Sequence, residues 1–285
     1  MKKKNNFTTA LLVLALLAGL SLLLYPTLSD CWNSFHQSRA IAGYAEESAR
    51  LDEAQSEKLL ADARRYNENL AMGQSGALSE EQRQVYEQLL DITGLGIMGS
   101  IEIPGIGVSL PIYHGTDDTV LQIAVGHLEW SSLPVGGRST HCVLSGHRGL
   151  PGAQLLTHLD KLTSGDLFML RVLDEVLTYE VDRVLIVEPD QTETLYIEPG
   201  QDYCTLVTCT PYGVNSHRIL VRGRRIENSE ESRAVFISAD AARIDPMLVA
   251  PIAAVPILLV LLAGPLLPRG KKGPPAGGAD GAQAP

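Results

Sequence analysis

What the chain has little of narrows its function first. It has four cysteines and few aromatic residues, 5% in all. No two cysteines form a C-x-x-C pair, which excludes the usual dithiol redox motif. No His/Cys/Asp/Glu grouping has zinc-ligand spacing. Gly94-Leu95-Gly96 and Gly105-Ile106-Gly107 lack the lysine or dinucleotide pattern of a phosphate loop. No cofactor is therefore expected. Positive charge is short as well, with 23 Lys and Arg against 33 Asp and Glu, a net charge of −10 and a pI of about 5.2. Nucleic acid is excluded as a partner, because phosphate binding needs clustered Lys and Arg. There is no internal repeat.

Long apolar runs are present, one near each end. Phe7–Tyr25 carries no charge, follows Lys2, Lys3 and Lys4, and is long enough for a hydrocarbon core of ~30 Å. The flanking lysines favour a cytoplasmic N-terminus. A cleaved signal peptide is the rival reading; its apolar core is usually ~7–15 residues, followed by a small-x-small site, and residues 25–31 offer no good site. Met247–Leu267 is the second run, followed by Arg269, Lys271 and Lys272. Its Pro251, Pro256 and Pro265 are disfavoured in a soluble helix and tolerated in a membrane one. The expected layout is two transmembrane segments with both termini cytoplasmic and the middle of the chain outside. A Pro/Gly/Ala tail follows Gly273.

Between the runs, Ala45–Leu70 reads as helix. Ser79–Leu90 reads as a second, opened by the capping box Ser79-Glu80-Glu81-Gln82. From Ile97 the texture changes to short β-rich segments: Ile97–Ile103, Val108–Tyr113, His141–His147, Leu167–Leu173, Thr178–Val187, Cys204–Cys209 and His217–Arg222. Such close spacing suggests a barrel or sandwich. Short helices are expected at Asp117–Ala124 and Ala153–Lys161, and the acidic stretch Glu188–Asp202 reads as a solvated loop, with a groove lining or a calcium site as the alternatives.

Four cysteines in an extracytoplasmic region raise the question of disulfides. If residues 204–209 are extended, the Cys204 and Cys209 Cα atoms lie ~16 Å apart on opposite faces, beyond the ~7 Å a disulfide allows. Cys31 and Cys142 read as unpaired. Cys209 ends an apolar run and precedes Thr210-Pro211, a position at a strand rim where a thiol is accessible and its backbone rigid; a buried core cysteine is the bland alternative. An unperturbed thiol is mostly protonated at neutral pH and needs a base or cation nearby. Of seven histidines, His147 alone ends an expected strand in a Gly-flanked turn, Ser145-Gly146-His147-Arg148-Gly149. A surface-loop histidine is the other reading. His217 shares a strand face with Ile219 and Val221, which reads as core. Arg218 points the other way, where its fixed fork of donors could stabilise an oxyanion. Arg148, Arg222, Arg224 and Arg225 read as surface arginines.

Taken together, Thr205-Leu206-Val207-Thr208-Cys209-Thr210-Pro211-Tyr212-Gly213 through Arg218, with Ser145-Gly146-His147-Arg148-Gly149, resembles the active-site motifs of class C, pilin-polymerising sortases. The similarity extends over about residues 95–225 and the two-anchor layout. The resemblance implies a mainly β fold, an eight-stranded sortase β-barrel with N-terminal helices, flanked by two transmembrane helices. It divides the chain into 1–6 cytoplasmic, 7–25 signal anchor, 26–94 helical region, 95–226 catalytic barrel, 227–246 linker, 247–267 second span and 268–285 tail. It further implies that Cys209 attacks the Thr–Gly bond of an LPXTG-like sorting signal, with His147 as acid/base, Arg218 as transition-state stabiliser and Thr208 lining the substrate groove. The thioester would pass to a pilin lysine. A peptidoglycan-precursor amine, as in wall anchoring, is the alternative acceptor. A hydrolytic cysteine protease and a non-catalytic surface binding module are the other readings. One departure stands out. Class C sortases usually carry an Asp-Pro-aromatic lid motif, and Ala71–Ser79 contains none, so a more open site is expected.

Overall fold

A computed structural model describes residues 2–73, 78–150 and 152–228. The expected second span at 247–267, the linker before it from residue 229 onward, the tail, and part of the lid-position stretch lie outside the described residues. Helix α1 runs Lys2–Arg50. Its N-terminal part is long and apolar enough to cross a membrane, with a mean hydropathy of 2.3. Residues up to Leu24 belong to one compact unit, and residues 25–228 to a second.

In the second unit, the chain helical to Arg50 breaks and restarts as α2, Glu53–Ala71. The expected single helix at 45–70 is thus two. Asp52 is the reason: its carboxylate accepts from the Gln55 backbone N–H while the Gln55 side chain accepts from the Asp52 N–H, a capping box that starts a new helix. Helix α3, Glu80–Gln88, begins at Ser79 with the capping box read from the sequence. Both helices are tied down by polar groups at the core. Asn67 of α2 exchanges two hydrogen bonds with the Leu133 backbone, at 2.7 and 3.1 Å. Tyr86 of α3 is buried, and its hydroxyl accepts from Gly115 N–H at 3.0 Å.

Eight strands and one short helix follow: β1 Ile97–Ile103, β2 Val108–His114, α4 Asp118–Leu121, β3 Val125–His127, β4 Thr140–Ser145, β5 Leu167–Val172, β6 Glu175–Val187, β7 Asp202–Thr210 and β8 His217–Ile226. They close into a barrel in the order β1-β2-β3-β4-β7-β8-β6-β5. Closure leaves no sheet edge exposed. The pairs β2–β3 and β4–β7 are parallel, the others antiparallel. Seven strands match expected segments to within a few residues. β3 does not: three residues around Gly126 give no alternation to read. Tertiary packing demands Gly126, because a Cβ there would collide with the Gly115 carbonyl. The helix expected at Ala153–Lys161 is instead a series of turns ending in the 3-10 turn Leu159–Lys161.

Alternation gives the barrel two kinds of surface. Ile101, Leu144, Phe168, Leu206 and Val221 fill the interior. On the outside of β4, β7 and β8, a smaller apolar cluster of Val143, Val207 and Leu220 is covered by Leu195 from the β6–β7 connection. That connection is therefore not simply a solvated loop.

Candidate active site

β7 carries the thiol to the rim. Leu206 belongs to the interior cluster and Val207 to the outer one, so Cys209 shares the outer face with Val207, and it is half-buried. Directly across the antiparallel ladder stands Arg218 of β8, the Cα partner of Cys209. A directly opposed pair shares a face, with Cβ atoms ~4.5–5.5 Å apart. Arg218 Nη1 donates to the Asn215 and His217 carbonyls at 3.2 and 3.1 Å. Those bonds fix the guanidinium, and its other nitrogens make no hydrogen bond to protein among the described residues.

The two residues beside His147 bond to the two residues beside Cys209. β4 ends at Ser145, earlier than expected, and His147 lies in the turn after it. Gly146 N–H donates to the Val207 carbonyl at 3.1 Å, and its carbonyl accepts from the Thr208 hydroxyl at 2.7 Å. On the other side, Arg148 Nη1 donates to the Thr210 hydroxyl at 3.1 Å, while Nη2 pairs with Asp160 at 2.6 Å. The turn is thus held against the end of β7, with His147 and Cys209 as the middle residues of the two bonded triplets. Gly146 and Gly149 permit this closeness: a Cβ at Gly146 would press on Leu156, and one at Gly149 would sit 2.6 Å from the Tyr212 ring. The α1 helix reaches the stretch that follows this turn. Asn33 donates to the Gly152 carbonyl at 2.7 Å, and Asp30 accepts from Gln154 N–H at 2.9 Å.

Three sequence expectations need correction here. Thr208 is buried, 1% exposed, because alternation turns it inward when Cys209 faces out. Its side chain does not line a groove; it holds the His147 turn through Gly146. Nor are Arg148 and Arg222 surface arginines. Arg222 is buried, bonded to Asp182 at 3.0 and 2.7 Å and to Glu198 at 2.9 Å, with its guanidinium 4.0 Å from the Tyr203 ring centroid. Beside it, buried His141 donates from Nδ1 to the Tyr196 carbonyl at 3.0 Å and accepts at Nε2 from the Thr205 hydroxyl at 2.7 Å. Together these side chains clamp the β6–β7 connection onto the outer face that bears Cys209. The signal in the sequence was alternation: Arg218, Leu220 and Arg222 share one face of β8. His217, expected in the core, is only half-buried, because its strand begins there at the barrel's end; Ser216 is its hydrogen-bond partner at 2.8 Å.

Known proteins are similar to this chain in sequence and fold. The sortase domain family matches residues 101–226. Sortase C1 from Streptococcus agalactiae is 48% identical with a TM-score of 0.66, over 67% of this chain and 100% of that one. Sortase C of Streptococcus pneumoniae is 42% identical at a TM-score of 0.61, over 67% and 97%. Sortase D of Bacillus subtilis (strain 168) is 32% identical over 131 residues, 45% of this chain. The chain spans 63% of the length of that curated relative, under two thirds. A solved class C sortase that aligns over its whole length at 48% identity decides the kinship: this chain belongs to the sortase family of cysteine transpeptidases, in its class C branch.

Proposed function

We propose that the protein is a membrane-anchored transpeptidase that cleaves an LPXTG-like sorting signal between Thr and Gly and joins the acyl fragment to a lysine amine of a pilin subunit. The observation that carries this reading is the bracketing of Cys209 by the His147 turn on one side and Arg218 on the other. The pneumococcal relative is described in terms of pilin substrate specificity, which favours a pilin lysine over a peptidoglycan-precursor amine.

The Cys209 thiolate attacks the threonine carbonyl carbon. The Arg218 fork stabilises the resulting oxyanion, an effect of ~3–4 kcal/mol when one such donor is removed. His147 gives a proton to the departing glycine amine as the C–N bond breaks, leaving a thioester on Cys209. The lysine amine then attacks, passes a proton back to His147, and expels the thiolate. Thr208 and Arg148 hold the turn in register and touch no reacting atom.

The test is a labelled sorting-signal peptide incubated with the full chain, with and without a lysine-bearing pilin fragment, products read by mass spectrometry. The expected result is a thioester adduct on Cys209 and an isopeptide product that forms only with the acceptor. Products limited to hydrolysis, even with acceptor in excess, make the protein a protease instead.

A further inference from the structure

Two thiols lie inside the barrel, away from the chemistry just described. Cys142 of β4 and Cys204 of β7 are direct Cα partners in the parallel ladder. Both belong to the interior cluster, 2% and 0% exposed, so their side chains face the same interior. As the structure stands both are free thiols, and the sequence reading also left Cys142 unpaired. The strand spacing excludes only a Cys204–Cys209 pair. Residues paired across neighbouring strands lie ~4.8 Å apart, inside the 4.4–6.8 Å Cα range of disulfides. Both side chains point the same way, and closure asks the Cβ atoms to draw in to ~3.8 Å.

We propose that Cys142 and Cys204 are joined by a disulfide that staples β4 to β7, formed while the exported chain folds, with an external disulfide as oxidant: an oxidised dithiol oxidoreductase or oxidised glutathione. One cysteine thiolate attacks a sulfur of the external disulfide and releases one thiol, leaving a mixed disulfide. The second cysteine loses its proton and attacks the protein-bound sulfur, releasing the second thiol. Two electrons pass to the external disulfide, and the two protons end on the released thiols. Full burial places this step before the barrel closes.

The two thiols differ in readiness. Burial pushes Cys204 well up, and its hydrogen bond to Cys142 adds to that. Cys142 is pushed up by burial too, but its hydrogen bonds to Cys204 and His127 outweigh this and hold it below its ordinary range. A pair sharing one hydrogen bond gives up its first proton more easily than its second.

The staple has a consequence for the site. β4 leads directly into the His147 turn and β7 directly to Cys209, in the register that sets Ser145 against Val207. A bond between these strands pins that register. Cys209 stays free, since it faces the other side of β7 and cannot reach Cys204.

The inference takes from the proposed function only the extracytoplasmic placement that supplies an oxidant, so its test reads disulfide and turnover separately. Full-length chain is unfolded under reduction, then refolded in detergent with either a glutathione redox buffer or excess dithiothreitol. The oxidised sample is expected to be lighter by two hydrogen atoms and to yield a Cys142–Cys204 linked peptide. Its Tm should exceed that of the reduced sample by roughly 5–10 °C, and Cys142→Val should abolish that difference. Cys209 should still take up iodoacetamide in the folded, oxidised protein. Alkylation of both Cys142 and Cys204 after unfolding of the oxidised sample overturns the proposal, as does a linkage through Cys209 or Cys31. Turnover of the sorting peptide is recorded on the same samples, and its absence bears on the proposed function alone.

Discussion

Cys204 and Cys209 sit on one strand and live in different chemistry. Cys204 is sealed in the barrel with Cys142 and its thiol is pushed up by burial. Cys209 stands at the rim on the opposite face, across from an arginine and beside a histidine turn. Sequence distance is small, and the odd spacing puts the two on different sides of a wall. The comparison teaches that reactivity here comes from the face and the end of the strand, not from the residue type. A buried free cysteine behaves as a small hydrophobe. One at a strand end, with fixed polar neighbours and an open side, can serve as a nucleophile.

The sharpest way to break the comparison is to remove each thiol in turn. Cys209→Ala is expected to lower kcat by about 10⁴-fold or more, to background, with Tm nearly unchanged. Cys204→Ala under reducing conditions is expected to keep most of the activity and cost about 1–2 kcal/mol of stability, read by denaturant unfolding. If Cys204→Ala silences the enzyme while it stays folded, the separation of roles is wrong. Next in size is Arg218→Lys, which keeps the charge and loses the fork. A fall of roughly 10²-fold in kcat/KM is expected, and unchanged peptide turnover removes Arg218 from the mechanism.

The strand-end position of Cys209, the turn position of His147 and the face of Arg218 were legible because each follows from a local rule. A strand broken by proline, a turn flanked by glycines and alternation along β8 each need only neighbouring residues. The barrel's strands were readable for the same reason, apart from β3, whose three residues exist as a strand only because β2 and β4 flank them. The groove-lining role that the resemblance implied for Thr208 runs against alternation, which turns its side chain inward when Cys209 faces out. The Cys142–Cys204 juxtaposition could not be read at all. Parallel pairing of β4 with β7 depends on a crossover through β5 and β6, and no local pattern reports it. Arg222 and Arg148 were missed for the same cause: their partners Asp182, Glu198, Asp160 and Thr210 are brought by tertiary structure.

Arg148 offers a way to sharpen the comparison at the rim. Its fork ties the residue after Cys209 to Asp160, and a lysine reaches one partner at most. Arg148→Lys is expected to lower kcat roughly 10-fold with little change in KM, the pattern of a displaced base and not of lost substrate binding. A change confined to KM places Arg148 in substrate contact instead.

The smallest expected effect separates the two faces of β4 by pH. Cys142 faces inward, whereas neighbouring His141 faces outward, against Tyr196, Thr205 and the Arg222–Asp182–Glu198 group. Burial, chiefly, holds the His141 imidazole below its ordinary range; the Arg222 charge adds to this, while the Tyr196 carbonyl, Glu198 and Asp182 oppose it. Burial likewise lowers His114. Through these two imidazoles the folded protein binds fewer protons than the unfolded chain once the pH falls through about 6.5, so their contribution lowers stability as pH falls through that window and is level above it. Tm measured from pH 7.5 to 5.5 should decline, and His141→Gln, whose amide can still donate to the Tyr196 carbonyl, should flatten part of that decline. The same flattening should appear in oxidised and reduced protein alike, because the titrating ring and the thiol pair lie on opposite sides of the wall. A flattening by His141→Gln that differs between oxidised and reduced protein means that the two faces are coupled through β4, and the separation drawn from β7 does not extend to it.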